Sequence, residues 1–134
     1  MRLKFLSRFR EEGLLLLRLG LGVLFLYYGW PKLAGGPERW LGLGRAMGAL
    51  GVTALPTLWG LLAALSEFGG GLCLVLGLFF RPACLLMATT LAVAVNWHFA
   101  RGEGLAGASH ALEVGIVFLT LALIGPGRYS LDKE

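Results

Sequence analysis

From Thr57 to Phe80 the chain carries a single charge, Glu67, in an otherwise apolar stretch. A run of that length crosses the hydrocarbon core of a bilayer as a helix, and an acid at such depth is tolerable only when it turns toward protein. Similar apolar runs recur along the 134 residues, of which 57% are hydrophobic and 15% charged. An average soluble domain is about a quarter charged. With mean hydropathy at +0.74, the chain reads as an integral membrane protein in one domain.

Four spans can be drawn, Gly13 to Pro31, Thr57 to Phe80, Pro82 to Ala100 and Ser109 to Ile124. They predict an all-α, four-helix membrane bundle whose second and third spans form an antiparallel hairpin. The basic start, Arg2 to Arg10, resembles a signal peptide, but Arg18 interrupts the apolar stretch and no Ala-x-Ala site closes it, so it reads as a retained first span. Between the first two spans, Trp40, Leu43, Met47 and Leu50 recur at helical spacing and predict a short amphipathic helix in the outer interface. Outside the spans, seven Lys and Arg fall on the side holding both termini and four on the other, which predicts cytoplasmic termini. The net charge of +4 sits at span ends as headgroup anchors, without the stripe that nucleic acid requires. Cys73 and Cys84 form no Cys-x-x-Cys pair and differ in depth, so no disulfide is expected between them.

Ionisable groups inside the spans are the candidate functional residues. On the first span Arg18, Gly22, Phe25, Gly29 and Lys32 share one stripe, and on the second Gly60, Ala63, Ala64, Glu67, Gly70 and Gly71 form a small-residue seam around the acid. The third span aligns Met87, Thr90, Ala94 and His98, and the fourth aligns His110, Glu113, Val117 and Thr120. Alternating directions place His98, His110, Glu113 and Lys32 near the outer boundary, with Glu67 about 15 Å below it at 1.5 Å per residue. The expectation is a polar funnel leading to Glu67, with Arg18 reaching Glu67 and Lys32 serving Glu113. Read structurally, these are ion pairs that hold the bundle together. Read functionally, Glu67, His98 and Glu113 exchange protons, while Arg18, Lys32 and His98 contact a quinone headgroup in an apolar cleft. A metal site is not expected, because Glu67 lies too far below the two histidines.

Several ordered segments carry a family resemblance. They are Arg18-Leu-Gly-Leu-Gly leading to Tyr28-Gly-Trp-Pro-Lys32-Leu, Gly51 to Pro56, Ser66-Glu67-Phe-Gly-Gly70-Gly-Leu, Leu76-Gly-Leu-Phe-Phe-Arg81-Pro, and the closing Gly125-Pro-Gly-Arg128-Tyr-Ser130-Leu-Asp132. Together they resemble the DoxX family from about Arg18 to Asp132. The resemblance implies a four-helix bundle in the prokaryotic cytoplasmic membrane, in a family associated with quinone-dependent thiosulfate oxidation and with soluble redox partners. Arg18, Lys32, Glu67, Arg81, His98 and Glu113 match its polar positions. The chain departs from relatives that carry a membrane dithiol, since Cys73 and Cys84 are not paired.

The leading expectation is an accessory subunit of a membrane redox system that passes electrons toward quinone. No flavin, haem or iron-sulfur motif is present, so a partner protein would supply the substrate-side chemistry. Alternatives are a non-enzymatic assembly or anchoring protein and a small solute carrier, which would require a homo-oligomer or an internal repeat.

Overall fold

The computed structural model describes residues 2–133. Its α-helices follow in the order α1 Arg10–Ala34, α2 Gly36–Gly44, α3 Pro56–Leu76, α4 Phe80–Ala100 and α5 Gly104–Ile124, with 3-10 turns at Lys4–Phe9 and Arg45–Leu50. Four of them, α1, α3, α4 and α5, are long and apolar enough to cross a membrane. The fold is therefore an all-α membrane bundle with a short helix between its first and second spans.

Local chemistry sets the helix ends. Pro56 occupies the first position of α3, where its missing N–H has no intrahelical partner to lose. At the other end Gly77 adopts φ +65°, and the Leu78 N–H reaches the Cys73 carbonyl at 3.1 Å, closing the helix in a left-handed cap. α4 starts three residues later, so α3 and α4 are an antiparallel hairpin. Pro31 lies in the last turn of α1 without ending it.

Close backbone approach fixes how the helices align. A Cβ on Gly22 would sit 2.8 Å from the Gly71 carbonyl oxygen, and a Cβ on Gly71 would sit 2.8 Å from that of Gly22. Only glycine at both positions lets α1 and α3 meet at this distance. The same holds above, where a Cβ on Gly60 would collide with the Trp40 carbonyl and one on Gly44 with that of Pro56. α2 thus runs along the first turns of α3 and extends the antiparallel register that α1 begins. Ser66 Oγ and Thr90 Oγ1, 3.0 Å apart, tie α3 to α4. α5 packs on α4, and the Phe25 and Phe118 rings meet edge to face at 5.3 Å to link α5 with α1. Phe80, Leu74, Met87, Leu121 and Cys84 fill the centre.

The outside is as apolar as the inside. In the most apolar segment of each spanning helix only 22–33% of positions are buried within the protein, and Leu123 is 82% exposed. Such a surface is stable in acyl chains and not in water.

The closing segment folds back beneath the bundle. The Leu131 and Asp132 N–H groups donate to the Leu76 and Gly77 carbonyls, the Asp132 carboxylate accepts from the Phe79 and Phe80 N–H groups at 3.0 and 2.8 Å, and the Arg128 N–H donates to Glu11. The start of α1, the closing segment and the α3–α4 turn consequently share one side.

Candidate functional site

Arg18 is 1% exposed, and among the described residues its guanidinium donates to backbone carbonyls alone. Nε reaches Leu74 at 3.0 Å, Nη2 reaches Val75 at 3.1 Å, and Nη1 reaches Pro126 at 3.1 Å and Tyr129 at 2.7 Å. Leu74 and Val75 lie in the last turn of α3, where carbonyls lack intrahelical donors and the helix dipole favours a cation. The expected contact with Glu67 is not made. Glu67 sits about 10 Å further up α3 at 1.5 Å per residue, beyond the reach of a side chain anchored to that helix's end.

Glu67 pairs with Lys32 instead, at 3.0 Å from Nζ to Oε1 and 2.7 Å to Oε2. The register explains this. Gly29 lies against Phe68, so Lys32, one turn higher on α1, reaches down to the acid. The two side chains are 25% and 14% exposed, a clamp at the edge of the α1–α3 seam. Above it the Trp40 Nε1–H donates to the Lys32 carbonyl at 3.1 Å and holds α2 in place. Lys32 therefore does not serve Glu113, contrary to the sequence expectation.

His98 pairs with neither Glu67 nor Glu113 but with Glu103. Its Nδ1 contacts Glu103 Oε2, while Arg101 Nε lies 3.4 Å from Glu103 Oε1 and stacks its guanidinium 4.4 Å over the Trp97 ring. This cluster braces the α4–α5 turn. The hydrogen bond from His98 holds the Glu103 carboxyl below the usual carboxylate range; the charges of His98 and Arg101 add to it and the slight burial opposes it. Glu113 and His110 are exposed on α5 and have no hydrogen-bond or ion-pair partner among the described residues. The polar funnel is thus not assembled. Its members divide among a clasp at Arg18, a clamp at Lys32–Glu67, a turn brace at His98 and an open face at Glu113. No three His, Cys, Asp or Glu side chains among the described residues converge as a metal site, and both cysteines are free thiols.

A groove that no charge in the sequence marks lies beside Ser66. It lies between the Arg45–Leu50 turn, α3 and α4, has a volume of about 410 Å³, and is lined by apolar side chains that include Met47, Trp59, Leu86 and Val93. The polar side chains in its lining are Ser66, Thr89 and Thr90, with the indole of Trp59, whose Nε1–H is committed to the Ala54 carbonyl at 3.1 Å. Thr89 and Thr90 donate to the Leu85 and Leu86 carbonyls at 2.9 and 3.0 Å. With the Thr90 proton committed there, Ser66 is the donor in the Ser66–Thr90 contact, and the groove presents mainly oxygen lone pairs. Its trace in the sequence is Ser66 beside Glu67 and Thr90 on the α4 stripe, hydroxyls that give a weaker signal in apolar helices than charges do. Likewise unmarked by charge is Asn96, whose Nδ2 is buried without a partner among the described residues.

The DoxX family model matches residues 13–100. The chain is 35% identical to inner membrane protein YqjF of Escherichia coli K12 across 96% of its own length and 95% of that protein. It is 32% identical to inner membrane protein YphA of the same organism, across 93% and 91% respectively. An uncharacterised Haemophilus influenzae protein is 28% identical across 96% and 95%. No solved structure matches.

Proposed function

The chain belongs to the DoxX family, a multi-pass inner-membrane protein like its relatives, and we propose that it is an accessory subunit of a quinone-linked redox system. Both termini face the cytoplasm in this reading, as the excess of Lys and Arg on their side favours. Its role is to hold the lipophilic substrate, while a partner protein carries the redox centre, since the chain has no motif for one.

The observation that carries this reading is the groove beside Ser66. Its volume of about 410 Å³ and its apolar walls suit an isoprenoid-quinone ring with the first part of its tail, and the hydroxyls of Ser66, Thr89 and Thr90 accept hydrogen bonds from the reduced, quinol form. Glu67 contributes by fixing α1 on α3 through Lys32, one residue from Ser66. His98 and Glu113 lie outside the groove and take no part in holding the ring.

The test is binding of a short-chain ubiquinol and menaquinol to the purified protein in nanodiscs. Ala63 lines the groove, so Ala63→Phe fills it. The expected outcome is that Ala63→Phe weakens binding at least about tenfold with the helical melt unchanged, whereas Glu67→Gln binds normally. Wild-type protein that binds neither quinol, or an Ala63→Phe protein that binds equally well, overturns the reading. An assembly or anchoring role is favoured by one separate observation, the exposed Glu113 and His110, which have no partner among the described residues.

A further inference from the structure

Because α5 begins at Gly104 and not at the expected Ser109, Glu113 does not lie near the outer boundary: it is nine residues into the helix, about 14 Å below its start at 1.5 Å per residue, close to the middle of a hydrocarbon core about 30 Å thick. The core side of α5 is marked by Ala108, Ala111, Phe118, Leu121 and Ala122. Glu113 stands about 140° round the helix from Phe118 and is exposed. In a lone chain it would meet acyl tails, where a carboxylate is costly by any scale. His110, one turn nearer the outer boundary on the same flank, is also exposed and has no partner among the described residues. A lipid headgroup does not reach this depth, so protein must cover the pair.

We propose that the cover is a second copy of this chain, packed α5 against α5 about a two-fold axis along the membrane normal. The reason is self-complementarity. In an isologous contact each residue type meets the others of its own face, and this face carries both an acid and an imidazole one turn apart. The two helices run parallel, so Glu113 of one copy lies about 4.5 Å along the axis from the level of His110 of the other at 1.5 Å per residue, an offset that a glutamate and a histidine side chain span between them. Each imidazole then donates to the opposite carboxylate, and the dimer makes this contact twice. The flanking positions allow the approach. Ala106, His110, Glu113, Val117 and Thr120 recur at alternating steps of four and three, the period of a left-handed helix pair, with small side chains at both ends. This interface is independent of the groove beside Ser66, which lies against α3 and α4.

The experiment follows full-length protein, fluorescently labelled at its C-terminus, in phosphatidylethanolamine–phosphatidylglycerol vesicles at increasing dilution in lipid. Photobleaching steps report the monomer–dimer equilibrium. Wild type is expected to dimerise. Glu113→Gln and His110→Gln should each weaken the dimer about tenfold, the size expected for two interhelical polar contacts. The exchanged variant His110→Glu/Glu113→His should return to within about threefold of wild type, because the same pair forms with its members reversed. Leu85→Ala, on the exposed face of α4, should change nothing. Helical content and melting confirm that each variant is folded, as all three positions are exposed. A wild-type protein that stays monomeric at every density overturns the proposal. So does a dimer indifferent to both glutamines, a failure of the exchanged variant to recover, or a different protein that holds the Glu113 face in place of a second copy.

Discussion

Lys32 and Glu67 show how position along a helix misleads when the helices are not level. Counting from the ends of the apolar runs places Lys32 at the outer boundary beside Glu113 and leaves Glu67 to Arg18. The glycine contacts between α1 and α3 offset the two helices, which lowers Lys32 onto Glu67 and leaves Arg18 at the carbonyl end of α3. Removing one member strands a charge in a poorly solvated seam, which costs about 3–5 kcal/mol when a pair is fully buried and less for a partly exposed one. Lys32→Met is accordingly expected to lower stability by about 2 kcal/mol. The double variant Lys32→Met/Glu67→Met should lose less than the two single changes added together. Midpoints of unfolding by sodium dodecyl sulfate, measured for all four proteins, give the coupling directly, and strict additivity would show that the two side chains do not act as a pair.

Among the elements, the α1–α3 seam is the most demanding, since backbone atoms lie where side chains would go. Gly22→Leu is expected to separate the helices and sharply reduce the yield of folded protein, because its Cβ has nowhere to move. Two residues earlier Gly20 faces open space, and Gly20→Leu should be neutral or raise the melting temperature slightly, since leucine is the better helix former by about 0.8 kcal/mol. The α4–α5 turn offers a test by pH. The Glu103 carboxyl titrates below its ordinary 4.5, so its contacts with His98 and Arg101 stabilise fully above that value and are lost as pH falls through the folded-state value. The stability difference between wild type and Glu103→Gln should therefore hold just above pH 4.5 and vanish on acidification below it. A difference that widened under acid would show that the carboxylate is not what the turn depends on.

At the scale of the molecule, the bilayer environment, the helical class and the hairpin were legible because each rests on length and apolarity along one segment. The groupings of charge were not, because they depend on offsets between segments that only glycine contacts and the tail reveal. Nothing in the sequence of Gly125 to Asp132 announces that it is a clasp, yet Pro126 and Tyr129 supply two of the carbonyls around Arg18 and Asp132 caps the start of α4. That tail joins the first span to the α3–α4 hairpin across the whole length of the chain. Deleting residues 126–133 should therefore cost far more than its few apolar contacts suggest. Arg18 would keep only Leu74 and Val75 as acceptors, and hydrogen bonds to a charged group are worth about 1.5–3 kcal/mol each. If the guanidinium is the reason, replacing it first removes most of the penalty. In an Arg18→Met background the deletion should lose mainly the α4 cap, worth about 1 kcal/mol. Detergent-unfolding midpoints of the four proteins should show the tail and Arg18 coupled by more than about 1 kcal/mol, as expected for groups in one hydrogen-bond network. An equal penalty in both backgrounds would mean that the tail stabilises the bundle by its own packing and that Arg18 is satisfied without it.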